Sequence, residues 1–488
     1  MKLSQLAQEA VPYFASIRGD CEIASLSQDS RLKTESGLFF CISGATIDAH
    51  EYAHEAIANG AIALVVTRFI DELNVAQVLV SNDRAAMALM AAAFYQHPAR
   101  QLRLVGITGT KGKTTTSYFI KAILEYAGYS CGLIGTTGNM IGTQWMKSSL
   151  TTPDPIELNR TFRLMADKGV EVVCMEVSAH AINMKRLEGL IFEAGCYMNL
   201  SQDHLDYFGS MEYYFETKKS FFMDGKVKNA AINVDDDLSS LIIRDLSIPY
   251  SSFGICTNAD IFARDIEISE QGVHFQLALW NEHLYPVHLK MMGMFNVYNA
   301  LAATGLALIM GVEPESICRA LEGVKSVPGR AEVLDTHTPY MVILDYSHSP
   351  DALTNILKTT KEFARGRVIV LFGCGGDRDY LKRPQMGIIA GQFADYSILT
   401  SDNPRTEEPI SIIRSIEEGI KQTKGQYEVI EDRRIAINRA LTMAEDGDVI
   451  ILAGKGHETY QDIKGVKRPF DEKQIVRELL SERRKELC

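Results

Sequence analysis

The chain has 488 residues, of which 46% are hydrophobic and 23% are charged, and its formal net charge is −12. A chain of this length exceeds what one hydrophobic core supports, so we expect two or three domains. The negative charge argues against a nucleic-acid-binding protein, because such proteins usually present a basic face. It does not exclude an anionic small substrate, since local Arg and Lys residues decide that.

The nine cysteines are scattered singly, without a C-x-x-C pair or a Cys/His cluster. This pattern is typical of a reduced, cytoplasmic compartment. The first residues lack the apolar stretch of a signal peptide, and no unbroken apolar run reaches the length of a membrane span. We therefore expect a cytoplasmic protein that does not bind a membrane.

Residues 1–100 are predicted to form a small α/β domain that ends near His97 and Pro98. Apolar runs alternate here with helical patterns, as expected for strands and crossover helices. The predicted strands are Ser36–Ile42, Ala61–Val66 and Val78–Val80, and the predicted helices are Glu51–Ala58 and Ala85–Tyr95.

The start of the second domain, residues 101–330, carries the most informative segment of the chain. An apolar run at Leu102–Ile107 predicts a buried strand, a Gly-bearing loop follows, and an amphipathic helix with Phe119 on its apolar face comes next. A loop of this kind cradles phosphates with backbone N–H groups and the helix N-terminus. The standard P-loop pattern has Gly where this chain has Ile107, so the motif is the shorter form. The predicted ATP-binding residues of the loop are Gly109, Thr110, Lys111, Gly112, Lys113, Thr114 and Thr115.

Polar residues follow the next predicted strands, Val170–Val177 and Ala194–Leu200. Ligands of doubly wound sheets lie beyond the carboxyl ends of the strands, so these residues belong near the phosphates. Glu176 is placed there as a Mg²⁺ ligand or water orienter. His204 lies between two acids, and local evidence leaves a metal or phosphate role and a structural role equally open. Lys218, in an aromatic-rich helix, would by itself be interpreted as reaching solvent.

Residues 331–488 repeat the alternation and form a third predicted domain. The predicted strands are Met341–Leu344, Arg367–Phe372, Ser397–Thr400 and Asp448–Leu452, each followed by a charged or Gly-rich loop. Two of these loops present Arg378 and Arg405. An Arg side chain binds a carboxylate with two parallel hydrogen bonds, so both are candidate carboxylate clamps, with a surface ion pair as the alternative.

Together the motifs resemble the Mur ligase family along essentially the whole chain. The matching segments begin at ten positions spread through the second and third domains, and their order adds to their specificity. They start at Gly109, Leu150, Glu176, Asn199, Gly293, Pro328, Asp345, Gly373, Asp402 and Gly454.

The resemblance implies a three-domain α/β fold with a central P-loop mononucleotide-binding parallel sheet and a C-terminal Rossmann-like sheet. It implies an ATP-dependent, ADP-forming ligase of peptidoglycan precursor synthesis. We expect a monomer. Its substrates would be UDP-N-acetylmuramoyl-L-alanyl-D-glutamate and meso-2,6-diaminopimelate, joined through an acyl phosphate. L-lysine in place of diaminopimelate is the alternative. Three other classes of protein are alternatives: a P-loop kinase, a mechanical NTPase and a non-enzymatic nucleotide-binding module.

The resemblance also implies roles for individual residues. Lys218 would be carbamylated and become a Mg²⁺ ligand with His204, while Thr114 and Glu176 would hold a second Mg²⁺. Asn296 and Arg330 would lie near the nucleotide, and Ser30, with the neighbourhood of Asp48 and His50, near the uridine. The muramoyl-peptide would be held by Thr151, Thr152, Ser178 and Arg186. The amino acid would be held by Arg378, Asp402, Asn403, Pro404, Arg405, Gly454 and Glu458.

Overall fold

The computed structural model describes residues 1–44, 47–148, 150–256, 258–280 and 283–486, with side chains described up to residue 483. Three main sheets follow one another along this part of the chain, and a two-stranded ribbon lies near its end. Helices pack on the sheets, which is the α/β class expected from the alternating pattern. Among the described residues, no helix is both long and apolar enough to span a bilayer.

The first sheet has five strands in the order β1-β5-β4-β3-β2, and only β1 pairs antiparallel. Its strands are β1 Phe14–Arg18, β2 Ser25–Ser27, β3 Gly37–Phe40, β4 Ala61–Val66 and β5 Ala76–Val80. Its helices are α1 Leu3–Glu9, α2 Ala53–Ala58 and α3 Asp83–Phe94, with 3₁₀ turns at Ala49–Tyr52 and Pro98–Gln101.

The central sheet has eleven strands in the order β16-β15-β14-β13-β12-β11-β6-β10-β7-β8-β9. These strands are β6 Arg103–Thr108, β7 Cys131–Gly135, β8 Gly138–Ile141, β9 Gln144–Met146, β10 Val172–Glu176, β11 Phe192–Tyr197, β12 Val227–Asn233, β13 Tyr250–Gly254, β14 Ile261–Ser269, β15 Gly272–Leu279 and β16 His283–Leu289. The helices are α4 Lys113–Tyr126, α5 Pro155–Asp167, α6 Ala179–Asn183, α7 Leu205–Phe208, α8 Met211–Lys219, α9 Ser239–Asp245, α10 Met294–Ile309 and α11 Pro314–Gly323, with a 3₁₀ turn at Ser220–Phe222.

Strand β6 is buried on both faces, which is why its sequence is a continuous apolar run rather than an alternating one. Val105 and Ile107 pack in a core with Phe119 of α4. Leu104 packs on the opposite face in a second core with Phe162 of α5. The loop 109–115, called the phosphate loop below, therefore follows a strand that is fixed between two layers of helices.

The third sheet has the order β17-β18-β22-β19-β20-β21, and only β17 pairs antiparallel. Its strands are β17 Glu332–Leu334, β18 Met341–Asp345, β19 Val368–Phe372, β20 Tyr396–Leu399, β21 Gln426–Val429 and β22 Val449–Ala453, and the ribbon is β23 Tyr460–Ile463 and β24 Val466–Pro469. The helices are α12 Pro350–Phe363, α13 Lys382–Phe393, α14 Pro409–Ile420, α15 Arg433–Met443 and α16 Glu472–Glu486.

The sequence pattern located the buried parallel strands well and the paired antiparallel ones poorly. Strands β10, β11, β18, β19, β20 and β22 lie within one to three residues of their predicted bounds. The antiparallel ends of the central sheet, β14–β15–β16 and β7–β8–β9, were not predicted. Strands β8, β9, β14, β15 and β16 are partly exposed and mix polar with apolar residues, so they lack the continuous run on which the prediction depended. Strand β7 is buried throughout and pairs parallel with β10, and its short run between glycines was missed. The predicted domain boundaries at residues 100 and 330 stay predictions.

Candidate active site

The phosphate loop is fixed by contacts with neighbouring residues and by hydrogen bonds within the loop. A Cβ at Gly112, whose φ is +85°, would lie 2.4 Å from Asn299 Oδ1, so the close approach needs glycine. The backbone N–H of Lys111 donates to Asn199 Oδ1 at 2.9 Å. Lys113 Nζ donates to the carbonyl oxygens of Gly109 and Thr110 at 2.8 and 3.0 Å. Burial lowers the pKa of Lys113 to about 8.

Glu176 is the last residue of strand β10, and its side chain is held by the loop that follows the neighbouring strand β7. It is only 1% exposed. Its Oε1 accepts from the backbone N–H of Thr136 at 2.8 Å, and its Oε2 accepts from the Thr136 hydroxyl at 2.9 Å. The carboxylate lines the central cleft together with Thr114. Two oxygen donors of this kind suit a hard cation such as Mg²⁺.

Lys218 is buried rather than solvated, and this overturns the interpretation drawn from its helical pattern alone. Its Nζ donates to the Gly109 carbonyl oxygen at 2.9 Å and lies 4.5 Å from the Tyr214 ring centre. Burial, with the nearby Lys113 charge, holds the pKa of Lys218 well below its usual value. A lysine amine in this state is nucleophilic, because a larger fraction of it is uncharged.

His204 lies at the mouth of the same cleft, with its backbone in the left-handed region at φ +56°. Its ring packs edge-on against His180 at 4.8 Å between centres. Burial lowers the pKa of His204, although the Asp203 carboxylate opposes the shift. The ring is therefore neutral near pH 7, which is the form that binds a metal.

Lys111 connects the phosphate loop to the third sheet. Its Nζ donates to Ser349 Oγ at 2.6 Å, and Ser349 is the residue before α12. Asp203 lies on its other side, with 3.8 Å between Lys111 Nζ and Asp203 Oδ2. Burial lowers the pKa of Lys111, so this link joins partly desolvated groups.

Arg330 makes a second contact between the third sheet's side of the cleft and helix α4. Its Nη2 donates to Thr114 Oγ1 at 3.0 Å, and its guanidinium lies 4.7 Å from the Tyr346 ring centre. Asn296, the other predicted nucleotide residue outside the loop, is fully buried and accepts a hydrogen bond from Asn299 at 3.0 Å. Asn299 rather than Asn296 lines the cleft.

The residues assigned to the muramoyl-peptide form one hydrogen-bonded group beside Glu176. Thr152 Oγ1 donates to the Glu176 carbonyl oxygen at 2.8 Å and lies 3.2 Å from Ser178 Oγ. Arg186 Nη1 donates to the Thr152 carbonyl oxygen at 2.8 Å. Thr151 Oγ1 lies 3.1 Å from Thr136 Oγ1. All four predicted residues line the cleft.

The residues assigned to the amino acid divide into two groups. Arg378, Arg405 and Glu458 line the cleft. The remaining predicted residues, Asp402, Asn403, Pro404 and Gly454, are buried and do not line the cleft. They connect the loop 402–405 with the loop 454–458. Asn403 Nδ2 donates to Glu458 Oε2 at 2.8 Å, and a Cβ at Gly454 would lie 2.5 Å from Asp402 Oδ2. Pro404 lies between Asn403 and Arg405, and it is buried.

The residues assigned to the uridine lie in the first sheet's domain. Ser30 Oγ donates to Glu55, and Ser30 is not among the residues that line the cleft. His50 is buried with Nδ1 2.6 Å from Asp48 Oδ1 and Nε2 accepting from the Thr67 backbone at 3.1 Å. Both ring nitrogens are therefore engaged, which fits a structural role for His50.

One continuous cleft of about 2200 Å³ between the central and third sheets is lined by most of the predicted site residues, including Lys113, Glu176 and Arg405. Lys218 does not line it and lies behind the phosphate loop, bonded to Gly109. The cleft also includes residues that the sequence analysis did not single out, such as Thr136, His348 and His457. Burial lowers the pKa of His348 to about 3 and that of His457 to about 4. Thr136 follows the buried strand β7, so the rule that polar residues after apolar runs belong to the site could have found it.

Comparison with known proteins identifies the family. The Mur ligase middle domain matches residues 107–307, and the Mur ligase, glutamate ligase domain matches residues 329–456. The chain belongs to the Mur ligase family. The two matches together cover the phosphate loop, Glu176, Lys218 and the loops that present Arg378 and Arg405.

Several Mur ligases resemble the chain over nearly its full length. A protein of Caldanaerobacter subterraneus subsp. tengcongensis is 46% identical over 465 residues, covering 95% of this chain and 96% of its own. One of Geobacillus thermodenitrificans is 42% identical over 491 residues, covering 99% and 100%. Both are named UDP-N-acetylmuramoyl-L-alanyl-D-glutamate--2,6-diaminopimelate ligase. A solved structure of a protein with that name has a TM-score of 0.68 at 31% identity, covering 98% of this chain and 99% of that one.

Proposed function

We propose that this chain adds meso-2,6-diaminopimelate to UDP-N-acetylmuramoyl-L-alanyl-D-glutamate in an ATP-dependent, ADP-forming reaction of peptidoglycan precursor synthesis. The names of full-length relatives support the substrates. The observation that carries the proposal is the single cleft that contains the phosphate loop, Glu176 and Arg405. A phosphate-binding loop beside an acid and an Arg suits a ligase, which must bring three reactants together.

The proposed chemistry has two steps. The γ-carboxylate of D-glutamate attacks the γ-phosphorus of ATP, ADP leaves, and an acyl phosphate forms. The amine of diaminopimelate then attacks the acyl carbon, the new C–N bond replaces the C–O bond to phosphate, and inorganic phosphate leaves. The chain contributes mainly positioning and charge neutralisation, as in other phosphoryl transfers. Lys113 would turn from the carbonyl oxygens of Gly109 and Thr110 towards the outer phosphates.

The donor set fits Mg²⁺. Thr114 and Glu176 would hold one ion, and His204 and the carbamate of Lys218 would hold another. The ions would neutralise the charge of the phosphates. The buried amine of Lys218 fits this role once carbamylated, because CO₂ adds to the uncharged amine and leaves an anionic oxygen donor. Within the described residues, no group of three His, Cys, Asp or Glu side chains forms a ready-made metal site, so the threonine, the carbamate and the phosphates would have to complete the shells.

The other substrate would extend from the cleft towards the first sheet. Thr151, Thr152, Ser178 and Arg186 would hold the muramoyl-peptide, and Ser30 would approach the uridine. We propose that the enzyme acts as a monomer. Its scattered free cysteines and net charge of −12 fit a cytoplasmic enzyme without a nucleic-acid partner.

Arg405 would select the amino acid. Diaminopimelate carries a carboxylate beside its distal amine, whereas L-lysine, the alternative substrate, lacks it. Arg405 Nη1 donates to the Gly376 carbonyl oxygen, and this contact aims the guanidinium into the loop that also carries Arg378. Glu458 would accept a hydrogen bond from the distal ammonium group.

Substitution of Arg405 tests the proposal. With Arg405→Ala we expect the KM for diaminopimelate to rise by at least 30-fold, since losing one partner of a buried charge pair costs roughly 2–5 kcal/mol. The KM for ATP should change little. The product is weighed by mass spectrometry after incubation with diaminopimelate or with L-lysine. ADP release is measured with each substrate omitted in turn.

Arg439→Ala is the control, because Arg439 makes an exposed ion pair with Glu428 at 2.9 Å, away from the cleft. Unchanged use of diaminopimelate by Arg405→Ala would contradict the assignment of Arg405. ADP release that needs neither the muramoyl-peptide nor the amino acid would instead contradict the ligase reaction.

A further inference from the structure

A fully buried ion pair lies beneath the two loops assigned to the amino acid. Arg433, the first residue of α15, and Glu472, the first residue of α16, have side chains that are 0% and 1% exposed. Arg433 Nε donates to Glu472 Oε1 at 2.8 Å. Among the described residues, Glu472 Oε2 has no hydrogen-bond partner. The pair is therefore buried without complete compensation, which weakens the case that it serves stability.

The remaining donors of Arg433 reach two loops at once. Its Nη2 donates to the Ala453 carbonyl oxygen at 2.8 Å, and its Nη1 donates to the Ser401 carbonyl oxygen at 3.4 Å. Ala453 directly precedes the loop from Gly454 to Glu458, and Ser401 directly precedes the loop from Asp402 to Arg405. One planar guanidinium thus joins the bases of both loops.

The same two loops are joined a second time nearer the cleft. Lys455 Nζ donates to Asn403 Oδ1 at 3.2 Å and to Glu458 Oε2 at 3.3 Å. Asn403 Nδ2 also donates to Glu458. Arg433 therefore fixes the bases of the loops while Lys455 and Asn403 fix their middles, and the distance between Arg405 and Glu458 depends on both.

Packing of α15 and α16 does not require the charges. Apolar residues of both helices, among them Ile437 of α15 and Val476 of α16, share a core with Leu371 and Leu452 of the third sheet. A pair of apolar side chains of similar length would extend this core. Replacing a buried ion pair in this way is often neutral for stability or increases it.

We infer that Arg433 is a positioning residue for the amino-acid substrate, which sets the separation of Arg405 and Glu458 by holding the carbonyl groups of Ser401 and Ala453. The inference rests on the proposed assignment of these two loops to diaminopimelate. Arg433 does not line the cleft, so its effect is exerted through the loops and not through contact with the substrate. Such a residue should matter for one substrate and not for the other two.

The test is the double variant Arg433→Met/Glu472→Met, which removes both charges and leaves neither buried alone. We expect the folded enzyme to have a KM for diaminopimelate at least tenfold higher, with the KM values for ATP and UDP-N-acetylmuramoyl-L-alanyl-D-glutamate within twofold. The control is Arg434→Met/Glu478→Met, which removes the partly exposed ion pair between the same helices, 2.8 Å apart, and should change none of the three.

Arg433→Lys provides a second variant that keeps the charge opposite Glu472. A lysine has one ammonium group and cannot join both carbonyl groups in the manner of a guanidinium, so it should give the same selective rise in KM. A change below twofold for diaminopimelate in either folded variant would overturn the inference, as would an equal rise for all three substrates. Arg405→Ala, measured in parallel, separates the cases: if it too leaves the KM for diaminopimelate unchanged, the assignment of the loops has failed.

Discussion

Two buried amines converge on one carbonyl oxygen in this protein. Lys113 and Lys218 both donate to the Gly109 carbonyl group, at 2.8 and 2.9 Å. Burial lowers the pKa of each amine, and the neighbouring positive charges lower that of Lys218 further. Burial therefore disfavours the charged form of both amines. An anionic phosphate would stabilise the charge on Lys113, whereas the uncharged amine of Lys218 would react with CO₂.

Lys113→Met should stabilise the protein without nucleotide while removing activity. The pKa of Lys113 is about 8 in the folded state against an ordinary value of 10.5, so unfolding takes up a proton between these values. The destabilisation is complete below pH 8 and disappears as the pH rises towards 10.5. We expect a gain of about 1–3 kcal/mol at pH 7 that shrinks by pH 10, and activity lower by about 100-fold or more.

Denaturant unfolding at the two pH values and ADP release measure these effects. Lys121→Met, which removes an amine on the same helix that pairs with Glu125 at 2.7 Å, is the control and should show no such gain. A loss of stability in Lys113→Met that is the same at both pH values would refute the argument from burial.

Lys218 should carry a carbamate that depends on CO₂. Because burial holds its pKa well below the usual value, a larger fraction of this amine is uncharged at neutral pH than in an ordinary lysine. Depletion of CO₂ should lower activity and bicarbonate should restore it, with a carbamate signal in the spectrum of protein supplied with ¹³C-bicarbonate. Lys218→Arg should lose both the signal and about 100-fold or more of the activity.

The neighbouring Lys219 supplies the matched control. Its Nζ lies 2.5 Å from Asp245 Oδ2, away from the phosphate loop. Lys219→Arg should keep the ¹³C signal and most of the activity. Persistence of the signal in Lys218→Arg would exclude Lys218 as the modified residue.

At the scale of elements, the turn between β7 and β8 orients the acid at the end of β10. Thr136 contacts both oxygens of Glu176 through one backbone N–H and one hydroxyl. Thr136→Val keeps the first contact and removes the second. A hydrogen bond to a charged group contributes roughly 1.5–3 kcal/mol, so we expect the apparent affinity for Mg²⁺ to fall by about tenfold or more.

Activity measured over a range of Mg²⁺ concentrations tests this prediction. The control is Thr137→Val, because the adjacent hydroxyl lies 3.1 Å from Tyr118 Oη and is not bonded to Glu176. The role of the turn would be disproved by the same Mg²⁺ dependence in Thr136→Val and the wild type.

At the scale of the whole molecule, the phosphate loop and the third sheet are connected through Lys111 and Ser349, 2.6 Å apart. Ser349→Ala removes this hydrogen bond, which is worth about 0.5–1.5 kcal/mol. We expect kcat to fall by roughly two- to tenfold, and the radius of gyration of the free protein to increase in solution scattering.

Ser411→Ala is the control, because the Ser411 hydroxyl is exposed and donates only to the Glu408 carbonyl oxygen at the start of its own helix. Unchanged kcat and scattering in Ser349→Ala would show that other contacts suffice to hold the two parts together.

The sequence by itself determined the features that depend on neighbouring residues. The short stretch from Leu102 to Ala127 encodes a strand, a Gly-bearing loop and a helix. Buried parallel strands are recognised in the sequence as continuous apolar runs. The α/β class follows from these local patterns, the phosphate loop stays a prediction of a nucleotide site, and the order of ten motifs indicated the family.

Only the tertiary structure decided which side chains meet. The helical pattern around Lys218 and Lys219 does not tell which amine is buried under the phosphate loop, because that depends on Gly109, 109 residues away. Thr136 reaches Glu176 across 40 residues, and Arg433 reaches Glu472 across 39. Contacts between distant residues arise from the packing of the sheets against their helices, and local residue patterns carry no record of that packing.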